Sequence, residues 1–262
     1  MKNLKILILF PAILICSCTH YYYVANVQNV PLFREKNEYH FSGSYGVGMY
    51  SNCFELQASY SLPYNIGLMA NYMNAKGGDV SEKDYGKGNY FEGAIGYYKP
   101  FEGFEGVFEI YGGIGGGKQY HEYSTTHFDQ WEVYREYNGS SDLSFSRIFL
   151  QPSFGVTFNA FDVALSTRLN RLTFTDINNY ITGISDADEV NYLLEKSHYF
   201  IEPALTVRGG WKYVKFQFQA LYSGHIGNTE YYFYEGMHYS AGLYFTIANR
   251  FKKTVTNPDE KH

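Results

Sequence analysis

The stretch FELQASYSLPYNIGLMANYMN, Phe54 to Asn74, alternates apolar and polar residues one for one on either side of Leu62-Pro63-Tyr64-Asn65. Before the turn, Phe54, Leu56, Ala58, Tyr60 and Leu62 alternate with Glu55, Gln57, Ser59 and Ser61. After it, Tyr64, Ile66, Leu68, Ala70 and Tyr72 alternate with Asn65, Gly67, Met69, Asn71 and Met73. A period of two gives a strand one apolar and one polar face. In a soluble sandwich the apolar face is the core, whereas in a membrane barrel it meets lipid. Which face points inward decides the fold.

The alternation recurs from Tyr39 to Ile247, in about ten strands of roughly ten to thirteen residues each. Strands of soluble proteins centre on about five or six residues, and a tilted membrane span needs about nine to eleven. The apolar face carries Tyr and Phe at strand ends and Leu, Ile, Val, Ala and Gly between them, as an aromatic-girdled lipid face should. An all-β fold is therefore predicted, a closed antiparallel up-and-down transmembrane β-barrel of about ten strands, within limits of about eight and twelve. The polar face then lines the lumen with Glu55, Glu92, Glu109, Asp162 and Glu202 and with Arg147, Arg168, Arg208 and Lys215. A small barrel holds little beyond its own side chains, so these charges are expected to pair with one another. Pro152 and Pro203 fall in mid-strand, where a bulge is the expected accommodation.

The connections alternate as well. Short turns fall at Leu62-Pro63-Tyr64, between Pro100 and Gly106, at Asn159-Ala160 and at Gly209-Gly210-Trp211. Longer polar segments run from Ala75 to Gly88, Gln119 to Asp142, Thr175 to Lys196 and Gly224 to Glu235; the first hairpin, placed at Ser51-Asn52, is short. Membrane barrels keep short turns on the periplasmic side and long loops outside, and an even strand count predicts both chain termini in the periplasm.

Composition agrees. Of 262 residues, 28 are Tyr, 21 Phe and 26 Gly, which favours strands and turns, and the mild net charge of −5 comes with no basic cluster to track nucleic acid. Lys2 and Lys5 precede an apolar run, Ile6 to Ile15, too short to span a bilayer as a helix. The run ends in Ile15-Cys16-Ser17-Cys18, which resembles a bacterial lipobox and implies a diacylglycerol on Cys18. An ordinary signal peptide with an incidental cysteine is the plainer alternative. Residues 1–17 are thus read as a lipoprotein signal peptide, 18–37 as a lipid-linked tether, 38–250 as the barrel and 251–262 as a polar tail. Cys53 is left without a disulfide partner.

The segment CSCTHYYYVANVQNVPLFREKNEYHFSGSYGVG, followed by FELQASYSLPYNIGLMANY, resembles the start of barrel-type outer-membrane lipoproteins of Bacteroidota, a group of uncharacterised function. The likeness covers about the first third of the chain and implies location and fold, with no catalytic residue to carry over. The last strand, Ser240 to Ile247, resembles the terminal signal read by barrel-assembly machinery, although a polar tail follows it.

Motifs for chemistry are weak. Gly112-Gly-Ile-Gly-Gly-Gly117-Lys118-Gln119 approaches a phosphate loop, but Gln119 stands where the magnesium-binding hydroxyl belongs, and glycines also let neighbouring side chains fill a narrow barrel. His121, His127, Asp129 and Glu132 share a segment read as a loop, where they would ligate a metal or act as acid and base, or simply belong to a solvated surface. Ser185-Asp-Ala-Asp188 before Val190, Leu193 and Leu194 predicts a short amphipathic helix over the barrel mouth. No cofactor, metal or catalytic residue is assigned. The expected role is a non-enzymatic one in the envelope, surface binding or structural, with outer-membrane lipid, assembly machinery and an unidentified surface ligand as partners and no nucleic acid. The rivals are an outer-membrane hydrolase working from the loop histidines and acids, and a lipid-tethered soluble β-barrel holding a small apolar ligand.

Overall fold

The computed structural model describes residues 21–79, 84–128, 133–182, 184–227 and 234–251. In chain order the elements are β1 (Tyr39–Val47), β2 (Ser51–Ser61), β3 (Ile66–Asp79), β4 (Asp84–Pro100), β5 (Gly106–Phe128), β6 (Val133–Thr157), β7 (Phe161–Asn179), α1 (Ile184–Glu195), β8 (His198–Gly210), β9 (Val214–Tyr222), the three-residue β10 (Gly224–Ile226) and β11 (Met237–Ile247). Ten of these strands close a ring. β1 pairs with β2 on one side and β11 on the other, Tyr39 lying opposite Tyr60 and Ile247, while β9 joins β8 to β11. Every ladder of the ring is antiparallel, and closure leaves no sheet edge, as lipid demands of a backbone that has no water to bond.

The greasy side faces out. On β8, Tyr199, Ile201, Leu205 and Val207 are exposed, while Phe200, Glu202, Thr206 and Arg208 are buried. The carboxylate-bearing Glu202 is 0% exposed while Leu165 is 64% exposed, the inverse of a soluble core. Two aromatic belts flank a mostly aliphatic band. Tyr39, stacked on Tyr60 at 4.4 Å, belongs with exposed Tyr97, Phe108, Phe161 and Tyr213 near the short turns. Tyr45, Phe54, Tyr72, Phe91, Tyr222 and Tyr239 form the other belt, with Leu56, Leu68, Ile95, Leu165, Leu205 and Phe218 between.

Several local expectations differ from the structure. Gln119 to Asp142 is mostly a continuation of β5 and β6 as a hairpin, because its closely spaced Tyr and Thr residues favour the ladder. β5 and β6 reach 23 and 25 residues, far beyond the about nine to eleven a span needs, so this part of the wall projects past the membrane band. The first turn is Gly48-Met49-Tyr50, whereas Ser51 and Asn52 already open β2. Neither proline makes a bulge: Ile110 faces Pro152 and Thr167 faces Pro203 in unbroken register, and the register shifts fall at Tyr123/Ser124 and Ser144/Phe145. At Pro152 the β6–β7 ladder omits the pairs between Leu150–Leu169 and Ser153–Ser166 without changing register, so the missing N–H removes local bonds and inserts no residue. The expected helix is present as α1, with Val190 and Leu193 buried against Tyr22, Leu143 and Phe200 at the long-loop mouth and Leu194 exposed.

The largest difference concerns the supposed tether. Tyr22 to Phe33 does not lead away from the barrel; it runs down the lumen, with Ala25, Val27, Gln28, Asn29, Val30 and Phe33 all at or below 1% exposure. This strap begins at the long-loop mouth, where Tyr21 stacks on Tyr50 at 5.1 Å. It ends at the short-turn mouth, where Arg34 pairs with Glu105 and the chain reverses through Asn37 at φ 62° into β1. The described chain therefore enters at the mouth opposite the one where it leaves at Phe251; the termini themselves, expected on one side, lie outside the described residues. Even strand parity holds for the ring, but the strap adds one more crossing inside it.

Candidate functional site

The strap has no regular secondary structure, so its backbone N–H and C=O groups need partners from elsewhere. It is also free of ionisable acids and bases between Tyr23 and Phe33, while Asn26, Gln28 and Asn29 supply amides. The inward faces of the strands provide the partners. Val27 N–H donates to Glu55 at 2.9 Å and its carbonyl accepts from Gln57 Nε2 at 2.8 Å. Gln219 binds Gln28 twice, accepting from the N–H at 2.7 Å and donating to the carbonyl at 2.9 Å. Gln151 Nε2 donates to the Asn29 carbonyl at 2.7 Å, Arg208 to that of Val30 at 2.7 Å, and the Tyr244 hydroxyl to that of Pro31 at 3.0 Å. Phe33 N–H donates to Glu109 at 3.1 Å. Rung by rung, the lumen wall reads the strap's main chain as a neighbouring strand would.

The nine charged residues expected in the lumen are all buried there. They do not form one mutually paired set. Glu92 is a hub: its carboxylate accepts from Asn71 Nδ2 at 2.5 Å, Tyr90 hydroxyl at 2.6 Å, Asn26 Nδ2 at 3.0 Å and Arg168 at 3.2 Å, and from Arg147. Arg168 also donates to Asn26 Oδ1 at 2.8 Å, and Arg147 to the Tyr23 hydroxyl at 2.7 Å, so the strap is wired into the hub. Asp162 holds Lys215 at 2.6 Å and lies 3.8 Å from Arg208. Glu55, Glu109 and Glu202 instead bind the strap, Glu202 through the Tyr23 hydroxyl. Each guanidinium also lies over a ring: Arg147 over Tyr90 at 4.4 Å, Arg168 over Phe149 at 4.6 Å and Arg208 over Tyr244 at 3.7 Å. The glycine run serves this packing, since a Cβ on Gly115 would sit 2.7 Å from that of Glu92.

Both ends of the strap are held. At the short-turn mouth Glu38 accepts from Arg34 N–H at 3.0 Å and Glu35 N–H at 2.8 Å and pairs with Arg250, beside a cavity of about 280 Å³ lined by Pro31, His40, Asp162 and Lys215. At the other mouth burial and the neighbouring Glu235 carboxylate push the Tyr21 phenol up to about 12.

Of the loop-site residues, His121 and His127 fall well apart on one strand. His121 lies on β5, buried, its ring 5.2 Å from that of Tyr22. His127 is six positions further along the same strand, about 20 Å away at the rise of a strand. The two cannot share one ion. Asp129, Glu132 and Cys18 lie outside the described residues.

No family model matches the sequence, and no curated protein matches it. Solved structures do. The translocator domain of the autotransporter NalP from Neisseria meningitidis aligns over 82% of this chain and 89% of that one, with 8% identity and a TM-score of 0.51. The N-terminal β-barrel domain of Pseudomonas aeruginosa OprF aligns over 81% and 98%, with 11% identity and a TM-score of 0.32. What this chain shares with the NalP domain is the fold. That match agrees with the closed ring of strands.

Proposed function

We propose that this chain is an outer-membrane barrel with a non-enzymatic envelope role, closed by its own N-terminal strap and presenting the extended β5–β6 wall as a binding or structural surface. One observation carries the reading: the strap fills the lumen at the level of Val27 to Val30, each at or below 1% exposure and bonded through its backbone to Glu55, Gln219, Gln151 or Arg208. A barrel built for diffusion keeps a water-filled interior instead. The intact chain in planar bilayers is expected to pass no steady current. An ohmic conductance of the intact chain would overturn the closed-barrel reading.

The lipoprotein reading belongs to the same proposal. Tyr21 stands at the long-loop mouth, and Cys18 is three residues earlier, within about 10 Å of extended chain. Acyl chains on Cys18 therefore enter the leaflet on the long-loop side, not the short-turn side. Palmitate incorporation that Cys18→Ala abolishes is the expected result; incorporation unchanged in that variant rejects the anchor.

A further inference from the structure

We propose that Cys53, Glu55 and His238 form a binding site for a zinc-like divalent cation inside the barrel wall, close to the long-loop mouth. Cys53 and Glu55 are two apart on β2 and share its inward face, while His238 lies on β11. β1 runs between these two strands, which puts them about 10 Å apart. The side chains still meet, because Gly46 on β1 has none: a Cβ there would lie 2.8 Å from Cys53 Sγ and would overlap the His238 ring. Across that gap Cys53 Sγ is 3.3 Å from Glu55 Oε1 and 3.3 Å from His238 Nε2, and the three donor atoms all lie within 4.8 Å of one another.

The two separations at Cys53 Sγ suit a tetrahedral ion. Zinc–sulfur bonds of about 2.3 Å and zinc–nitrogen or zinc–oxygen bonds of about 2.0–2.1 Å place neighbouring donors about 3.3–3.6 Å apart. Thiolate, imidazole and carboxylate together select zinc and its relatives over magnesium or calcium, which take oxygen donors. The carboxylate is already oriented by the Val27 N–H, 2.9 Å from both of its oxygens, an outer contact of the kind that positions metal ligands. Binding converts the Cys53 thiol to a metal-bound thiolate and releases its proton to the solvent; no electron changes hands. Three protein donors leave a fourth position for water. Because Glu55 also holds the strap, the ion would join β2, β11 and the strap at one point.

The test uses the full chain, folded in detergent and titrated with cobalt(II). A one-to-one complex is expected, with the visible bands of tetrahedral cobalt and a near-ultraviolet thiolate-to-cobalt band, all removed by added zinc. Cys53→Ser should lose the near-ultraviolet band, and Gly46→Ala, which fills the gap, should weaken cobalt binding tenfold or more. Heat-modifiable migration identifies the folded variants, and His238→Asn replaces Cys53→Ser if that variant fails to fold. A folded parent chain that shows no cobalt bands, or bands unchanged by Cys53→Ser, would mean the trio is only a hydrogen-bonded cluster.

Discussion

Replacing Glu92 with leucine is expected to destabilise the folded barrel by about 3–5 kcal/mol, the cost of leaving a buried partner charge unpaired. Glu92 sits at the centre of the lumen and is the acid that Arg147 and Arg168 share. Without it two guanidiniums, each at or below 2% exposure, keep hydrogen bonds to the oxygens of Asn26, Gln151, Tyr23 and Tyr90 but lose the carboxylate they share. Leucine also removes the acceptor for Asn71 and for the Tyr90 hydroxyl. Denaturant midpoints of the barrel in detergent, followed by the shift between folded and heated migration, measure the loss. Glu55→Gln is the contrast: the partners of Glu55 are a neutral N–H and a thiol, so the change should cost about 1 kcal/mol. A loss below about 1 kcal/mol for Glu92→Leu would show that water reaches the hub and screens its charges.

The second large effect is electrical. Deleting Tyr22 to Phe33 should turn a silent barrel into one that conducts in discrete steps. The strap satisfies inward groups at many heights, from Gln119 near the long-loop mouth to Glu109 near the short turns. Once it is gone, those groups can be satisfied only by water, and a continuous water column carries ions. The deletion should also lower stability, because each strap bond exchanged for water forfeits about 0.5–1.5 kcal/mol. Replacing Gln219 and Gln151 by alanine in the intact chain offers a gentler version, loosening the strap at Gln28 and Asn29 while the ring is untouched. A deletion variant that migrates as a folded barrel and stays silent would show that α1 and the mouth cluster close the lumen without the strap.

The proposed envelope role rests on these two properties. A barrel whose interior is committed to its own chain has its outer faces left for recognition, and the β5–β6 hairpin is where most strand length lies beyond the lipid band. The histidines that suggested catalysis are spread along one strand, while the compact Cys53–Glu55–His238 group arose from residues never considered together in the sequence. Cys53 and His238 are 185 positions apart, and Gly46 is what lets them touch.

The ring and its inverted polarity were determined by the sequence itself. Side-chain direction in a strand depends on residue parity alone, so Leu56, Leu165 and Phe218 could be assigned to lipid, and Glu92, Arg168 and Arg208 to the lumen, without knowing any partner. The strap, the bulge positions and the split of the charges into a Glu92 hub, an Asp162 pair and three strap-binding acids were decided only by tertiary structure. The strap has no period to read: Gln28 meets Gln219 across 191 positions and Val27 meets Glu55 across 28. Its one sequence signal was negative, an uncharged, valine- and amide-rich stretch ill-suited to a solvated linker. Parity is local and survives any folding of the chain, whereas the partner of an irregular backbone is set by whichever wall closes around it.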